Sequence, residues 1–238
     1  MVDKKLVVLA GGFGTRLKGI VKDLPKPLAP INGTPFLEYL LVSWRSQGIT
    51  HFIFSLHYHA DLIIEYVESV KDTILKGCKF SFVIEDAPLG TGGAMIKVIN
   101  DLNLTDFFFL ANADTWLENG IEAILNEDNQ IMVLVKVSDT SRYGRIAFDN
   151  DNLITKIEEK SNINESGFIN AGLYKFNVKT FRNMAIKYCS LENDLLPQII
   201  FRKEIFCKVV DTSFIDIGIP DDYERFNNWI GIDKAKSL

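Results

Sequence analysis

Residues 6–17 read LVVLAGGFGTRL: an unbroken apolar run, three glycines in four positions, then an arginine. The run LVVLA (6–10) is short, apolar throughout and ended by glycines, the pattern of a strand buried on both faces of a parallel sheet. A glycine turn after such a strand lets a phosphate group approach the backbone amides closely. The residues that follow exclude two familiar versions of that turn. A dinucleotide fingerprint needs G-x-G-x-x-G, but Gly12-Phe13-Gly14 is followed by Thr15-Arg16-Leu17, and the second strand ends His57-Tyr58-His59 without an acidic residue. A P-loop needs a terminal Gly-Lys-Ser/Thr, which is also missing. Two readings stay open for the glycines alone: a structural turn with a solvated arginine, or a triphosphate loop whose charge Arg16 supplies.

Outward from this stretch, strand and helix patterns alternate. Leu37, Leu40, Leu41 and Trp44 fall at i, i+3, i+4 and i+7, one face of a helix. HFIFSLHY (51–58) reads as a second strand with His57 and His59 on one face, ADLIIEYVESVK as a second helix, and KFSFVIE as a third strand followed by a helix after Gly90. FFFLAN (107–112) and IMVLVKV (131–137) are further strands, and Phe107, Phe108 and Phe109 read as core. Repeated βα units predict an α/β fold: a Rossmann-like, doubly wound, mixed but mostly parallel sheet with helices on both faces. After about residue 140 the pattern becomes β-rich. Residues 143–160 predict a hairpin turning at Asp149–Asn152, FINAGLYKF a strand, TFRNMAIKY (180–188) and ENDLLPQIIFRK two helices, EIFCKVV and FIDI late strands, and PDDYERFNNWI a last helix. The chain is expected to be a single domain over 1–238, with a change of character between 1–140 and 141–238.

With 238 residues, 47% of them hydrophobic, the chain can bury a sizeable core. A net charge of −5 argues against duplex DNA or RNA as partner, since nucleic-acid binding needs basic patches. Cys78, Cys189 and Cys207 are odd in number and lack CxxC spacing, so they read as thiols in a reducing compartment. No run approaches a membrane span and the N-terminus has no cleavable hydrophobic segment, which predicts a cytoplasmic protein with no membrane partner. His57 and His59 lack a third ligand nearby in sequence, which argues against zinc.

The next motif decides the glycine turn. In DLPKPLAPINGTPFLEYLL (23–41), Pro25 and Pro27 stiffen the backbone on both sides of Lys26. Together, LAGGFGTRL and PKPLAPINGTPFLEYLL resemble the N-terminal signature of the sugar-1-phosphate nucleotidyltransferases, which join a nucleoside triphosphate and a sugar 1-phosphate into an NDP-sugar and pyrophosphate. EDAPLGTGGA (85–94) resembles the family's base-recognition segment. ANAD (111–114) resembles its N-G-D metal site, with Ala113 in place of glycine, and FIDIGIPDDY (214–223) its second metal segment, with Ile219 where threonine is common. RYG (142–144), EEK (158–160) and NAGLY (170–174) resemble its sugar-phosphate segments. Within the family, the chain looks most like the short guanylyltransferases that act on D-glycero-α-D-manno-heptose 1-phosphate and serve surface-polysaccharide synthesis.

The resemblance implies roles for particular residues. Leu9, Ala10, Gly11, Gly12, Gly14 and Thr15 would receive the nucleotide together with Glu85, Gly90 and Thr91. Arg16, Lys26 and Asp114 would be catalytic, the two cations on the phosphates. Asp114 and Asp216 would hold Mg²⁺, the implied cofactor. Asn112, Tyr143, Gly144, Glu159, Lys160 and Asn170 would bind the sugar phosphate. The phosphate nucleophile is already anionic, so the chemical problem is charge stabilisation rather than proton removal. Glu85 leans the base towards guanine, whose N1–H and N2–H₂ donors suit one carboxylate. The competing expectations are mannose-1-phosphate guanylyl transfer, uridylyl or thymidylyl transfer to glucose or MurNAc 1-phosphate, and a non-catalytic sugar-nucleotide sensor. A homodimer is one candidate state of assembly.

Overall fold

The computed structural model describes residues 3–14, 23–158 and 164–236, the last six as helix backbone alone. In chain order the strands are β1 (Lys5–Leu9), β2 (Pro30–Ile31), β3 (Thr34–Pro35), β4 (His51–Leu56), β5 (Lys79–Ile84), β6 (Phe107–Asn112) and β7 (Thr115–Leu117). They continue with β8 (Ile131–Val137), β9 (Ile146–Phe148), β10 (Ile154–Ile157), β11 (Gly167–Asn177), β12 (Phe206–Val209) and β13 (Phe214–Asp216). The helices are α1 (Phe36–Ser46), α2 (Ala60–Ser69), α3 (Gly90–Asp101), α4 (Ile121–Ile124), α5 (Leu196–Phe201) and α6 (Pro220–Lys236). Among the described residues, no helix is long and apolar enough to cross a membrane.

Seven strands form one sheet in the order β12-β8-β11-β6-β1-β4-β5. All neighbours run parallel except β11, which is antiparallel to both β6 and β8. β1 is central and paired on both sides, with Val7 opposite Ile53 of β4 and Leu110 of β6. Its side chains therefore have only the two faces to choose between. Leu6 and Val8 enter the core under α1, α2 and α6, whereas Val7 enters the core under α3 and α5. Both faces are covered, so polar alternation is absent from LVVLA.

The predicted mostly parallel α/β sheet is the observed one, and the hairpin of β9 and β10 turns where Asn152 N donates to Asp149 O. Two local expectations are corrected. TFRNMAIKY is not a helix: a short 3₁₀ turn at Val178–Thr180 is followed by irregular backbone over 184–190. Asn183 takes a left-handed φ of 69°, and Ile186 and Tyr188 remain exposed, so no apolar stripe is there to fold a helix onto the core. Nor do His57 and His59 share a strand face. β4 makes its last pairing at Leu56, and His59, at φ 49°, is already the left-handed residue that caps α2.

Candidate active site

From β1 the chain builds β4 and β5 on one side, then crosses to β6 on the other. Ligands of open α/β sheets bind in the crevice that opens beyond the carboxyl ends of strands at such a switch point. A cavity of about 530 Å³ lies there. Leu9, Ala10, Gly11, Gly12 and Gly14 line it from the end of β1, and Asn112 and Asp114 from the end of β6. Lys26, Glu85, Gly90 and Thr91 complete the set of predicted residues on its wall. Thr15, Arg16, Glu159 and Lys160 lie outside the described residues.

One end of the cavity carries charge. Lys26 starts a 3₁₀ turn (Lys26–Leu28) between Pro25 and Pro27, closed by Ala29 N donating to Lys26 O. Its side chain is buried, and Nζ donates to Asp114 Oδ2 at 2.6 Å and lies 3.7 Å from Asp216 Oδ1. The two aspartates, distant in sequence, meet because β7 and β13 pair antiparallel with Thr115 opposite Asp216, and Ile217 N donates to Asp114 O. Thr115 Oγ1 donates to Asp114 Oδ1, and Gly218 N to Asp216 Oδ1. Gly14 takes a left-handed φ of 57°, which favours glycine, and a Cβ there would sit 3.3 Å from Lys26 Cβ, a tight approach.

The other end holds Glu85, buried just beyond β5. Its Oε2 accepts from Leu89 N at 2.8 Å, and its backbone carbonyl accepts from the His57 ring at 2.9 Å. A Cβ on Gly11 would lie 3.1 Å from Glu85 Oε1, so the glycine loop passes directly over the carboxylate. Burial raises the Glu85 carboxyl above its ordinary value, against the lowering effect of the Leu89 amide.

Three predicted sugar-phosphate residues do not reach this cavity. Asn170 Nδ2 donates to the Tyr174 hydroxyl while its Oδ1 accepts from Gly172 N. Tyr143 packs on Phe214 next to Arg142, which pairs with Asp222 at 2.6 Å, and Gly144 lies against the Glu158 carbonyl. Conversely, Phe13, Ser55, His57, Pro88 and Tyr188 line the cavity although sequence reasoning did not select them. The signal for Ser55 and His57 was their place at the carboxyl end of a parallel strand; Tyr188 offered none, because its wall position comes from packing of distant segments.

The nucleotidyl transferase family model matches residues 5–231. A D-glycero-alpha-D-manno-heptose 1-phosphate guanylyltransferase of Campylobacter jejuni is 35% identical over 221 residues, which is 92% of this chain and 97% of the relative. An enzyme of the same name from Aneurinibacillus thermoaerophilus is 33% identical over 228 residues, covering 92% and 95% of the two chains. The crystal structure of HddC from Yersinia pseudotuberculosis complexed with GMP-PN superposes with a TM-score of 0.82 at 37% identity, over 95% of this chain and 99% of that one.

Proposed function

The chain belongs to the nucleotidyl transferase family, and from that premise we propose that it is a guanylyltransferase joining GTP and D-glycero-α-D-manno-heptose 1-phosphate into GDP-heptose. A phosphate oxygen of the sugar 1-phosphate attacks the α-phosphorus of GTP. The new P–O bond forms as the bond from the α-phosphorus to the bridging oxygen breaks, and pyrophosphate leaves with the electron pair. The guanine end of the substrate lies towards Glu85, whose ionised carboxylate accepts from N1–H and N2–H₂. The triphosphate follows the glycine loop towards Lys26. The observation that carries this reading is the convergence of Lys26, Asp114 and Asp216 in a cavity whose far end is a buried carboxylate.

Lys26 brings a positive charge to the phosphates, held in place by its prolines and its carboxylate partners. Arg16 adds a second cation, and Lys160 with Glu159 contacts the sugar phosphate, on the strength of the motifs alone. The donor set fits Mg²⁺. Asp114 and Asp216 bring hard carboxylate oxygens together around Lys26 Nζ, and among the described residues no group of three or more His, Cys, Asp or Glu forms a protein-only metal cage. Mg²⁺ suits such a site because it keeps waters and shares phosphate oxygens. When bound, it supplies Lewis-acid stabilisation of charge on the phosphates. Synthesis of a surface polysaccharide is the process such a product would serve.

Incubating the protein with GTP, heptose 1-phosphate and Mg²⁺ should release pyrophosphate and yield GDP-heptose by mass spectrometry. UTP, dTTP, mannose 1-phosphate and glucose 1-phosphate serve as competitors. Tight nucleotide binding without turnover of any pair would instead make the chain a sensor.

A further inference from the structure

Eight large apolar side chains are exposed among the described residues, three of them aromatic: Phe13, Tyr188 and Phe201. Single exposed apolar residues are ordinary. Two of these three rings, however, line the same cavity as Glu85. Phe13 leans on His57 and Tyr58, with ring centroids 5.6 and 5.4 Å apart. Tyr188 is 72% exposed and comes from the irregular segment of the second half of the chain.

That segment is fixed to the start of α3 by its backbone. Cys189 N donates to Leu89 O, and Cys189 O accepts from both Gly92 N and Gly93 N at 3.0 and 3.1 Å. Two residues further, Thr91 Oγ1 accepts from Leu191 N and donates to Glu192 Oε2. A Cβ on Gly93 would stand 2.3 Å from Lys187 O, and one on Gly90 would stand 2.6 Å from Cys189 O and 3.4 Å from Tyr188 Cε2. The glycines of GTGG thus let a distant strap lie flat on the helix start, and the strap carries the Tyr188 ring to the wall beside Gly90. The neighbouring backbone is tied down by these bonds, while the ring itself stays largely exposed on the cavity wall.

We infer that Tyr188 is a nucleobase platform: its ring packs against the face of the base whose edge is read by Glu85. This rests on the guanylyltransferase reading. A planar base with one edge at Glu85 exposes its faces to the cavity walls, and next to Gly90 the wall is an aromatic ring. Base–aromatic packing is indifferent to base identity, so Tyr188 sets affinity while Glu85 sets choice.

The test is equilibrium binding of GTP and of tripolyphosphate to the wild-type chain and to Tyr188→Ala, Tyr188→Phe and Phe201→Ala. Tyr188→Ala should weaken GTP about five- to hundredfold, leave tripolyphosphate unchanged and raise KM for GTP with little change in kcat. Tyr188→Phe and Phe201→Ala should match wild type. In the wild-type complex, the guanine H8 resonance of GDP should shift upfield by ring current, and Tyr188→Ala should remove the part of that shift due to Tyr188. GTP binding by Tyr188→Ala within about twofold of wild type overturns the inference, as does an equal loss for tripolyphosphate, which would mark a structural role. If the wild-type chain binds tripolyphosphate but gains nothing from the guanosine, the guanylyltransferase reading falls, and the platform with it.

Discussion

The N–H of Ile217 donates to the carbonyl of Asp114 at 3.0 Å, and this main-chain bond brings Asp216 beside Asp114. The bond does not depend on either carboxylate. Asp114→Ala and Asp216→Ala should therefore keep the wild-type circular dichroism while lowering kcat by at least about 100-fold. Chelation of divalent cations should stop the wild-type reaction and added Mg²⁺ should restore it. Full turnover in chelator would refute the metal assignment.

Lys26 has a different vulnerability. Removing its ammonium deletes a cation from the phosphate path and leaves the carboxylates of Asp114 and Asp216 facing one another without it. Lys26→Ala should cost about 100- to 1,000-fold in kcat/KM. Lys26→Arg should recover only part of that loss, because a planar guanidinium cannot replace a point charge in a buried slot. Activity of Lys26→Ala within tenfold of wild type would show that the lysine is an anchor for the aspartates only.

Burial makes Glu85 hold its proton above the ordinary glutamate value of 4.5. The folded chain therefore binds this proton more tightly than the unfolded chain does. The stability contributed by the protonated form is complete below 4.5 and is lost as pH rises through the raised value. Glu85→Gln has no such loss, so its stability relative to wild type should climb as pH rises from below 4.5 through the raised value, as read by denaturant midpoints. Guanine reading needs the ionised form, so GTP affinity in the wild type should fall on acidification at a pH above 4.5. That acid limb should be missing in Glu85→Gln, whose preference for GTP over UTP should drop about 10- to 100-fold. An unchanged preference removes Glu85 from base selection.

What was legible in the sequence follows from where the physical cause sits. LVVLA announced a strand buried on both faces because each of its residues is apolar, and Lys26 announced itself through two neighbouring prolines. Asp114 and Asp216 stood out only as parts of motifs; the ribbon that unites them is a long-range pairing no local pattern reports. TFRNMAIKY misled because its composition tolerates a helix, whereas its chain makes only single turns (Phe181 N to Val178 O, Met184 N to Phe181 O) before Cys189, the next residue, bonds Leu89, Gly92 and Gly93. His57 lies just past β4, which pattern alone would extend through it, and its ring on the cavity wall bonds the carbonyl of Glu85.

The glycines of GTGG give the most direct check on the strap. Gly93 lies inside α3, where alanine would ordinarily stabilise the helix by about 1 kcal/mol. Here the added Cβ would stand 2.3 Å from Lys187 O and 3.0 Å from Leu89 Cβ, and a backbone oxygen cannot swing aside as a flexible side chain would. Overpacking of this kind costs about 1–3 kcal/mol, enough to outweigh the gain in propensity. Gly93→Ala should thus lower the unfolding free energy in urea, and faster amide exchange at Cys189 should report strap release. It should also weaken GTP through displacement of Tyr188. Gly77→Ala is an unsuitable control, since Gly77 has φ 82°; Gly12, with no heavy atom within 4 Å of an added Cβ, lies in the nucleotide loop itself. The better comparison is therefore Gly93→Ser, which adds the same Cβ and one oxygen: a strap held off by that Cβ predicts a loss at least as large as for alanine. A Gly93→Ala chain as stable as wild type, with protected Cys189, would mean that Lys187 yields and the strap does not depend on the bare helix face.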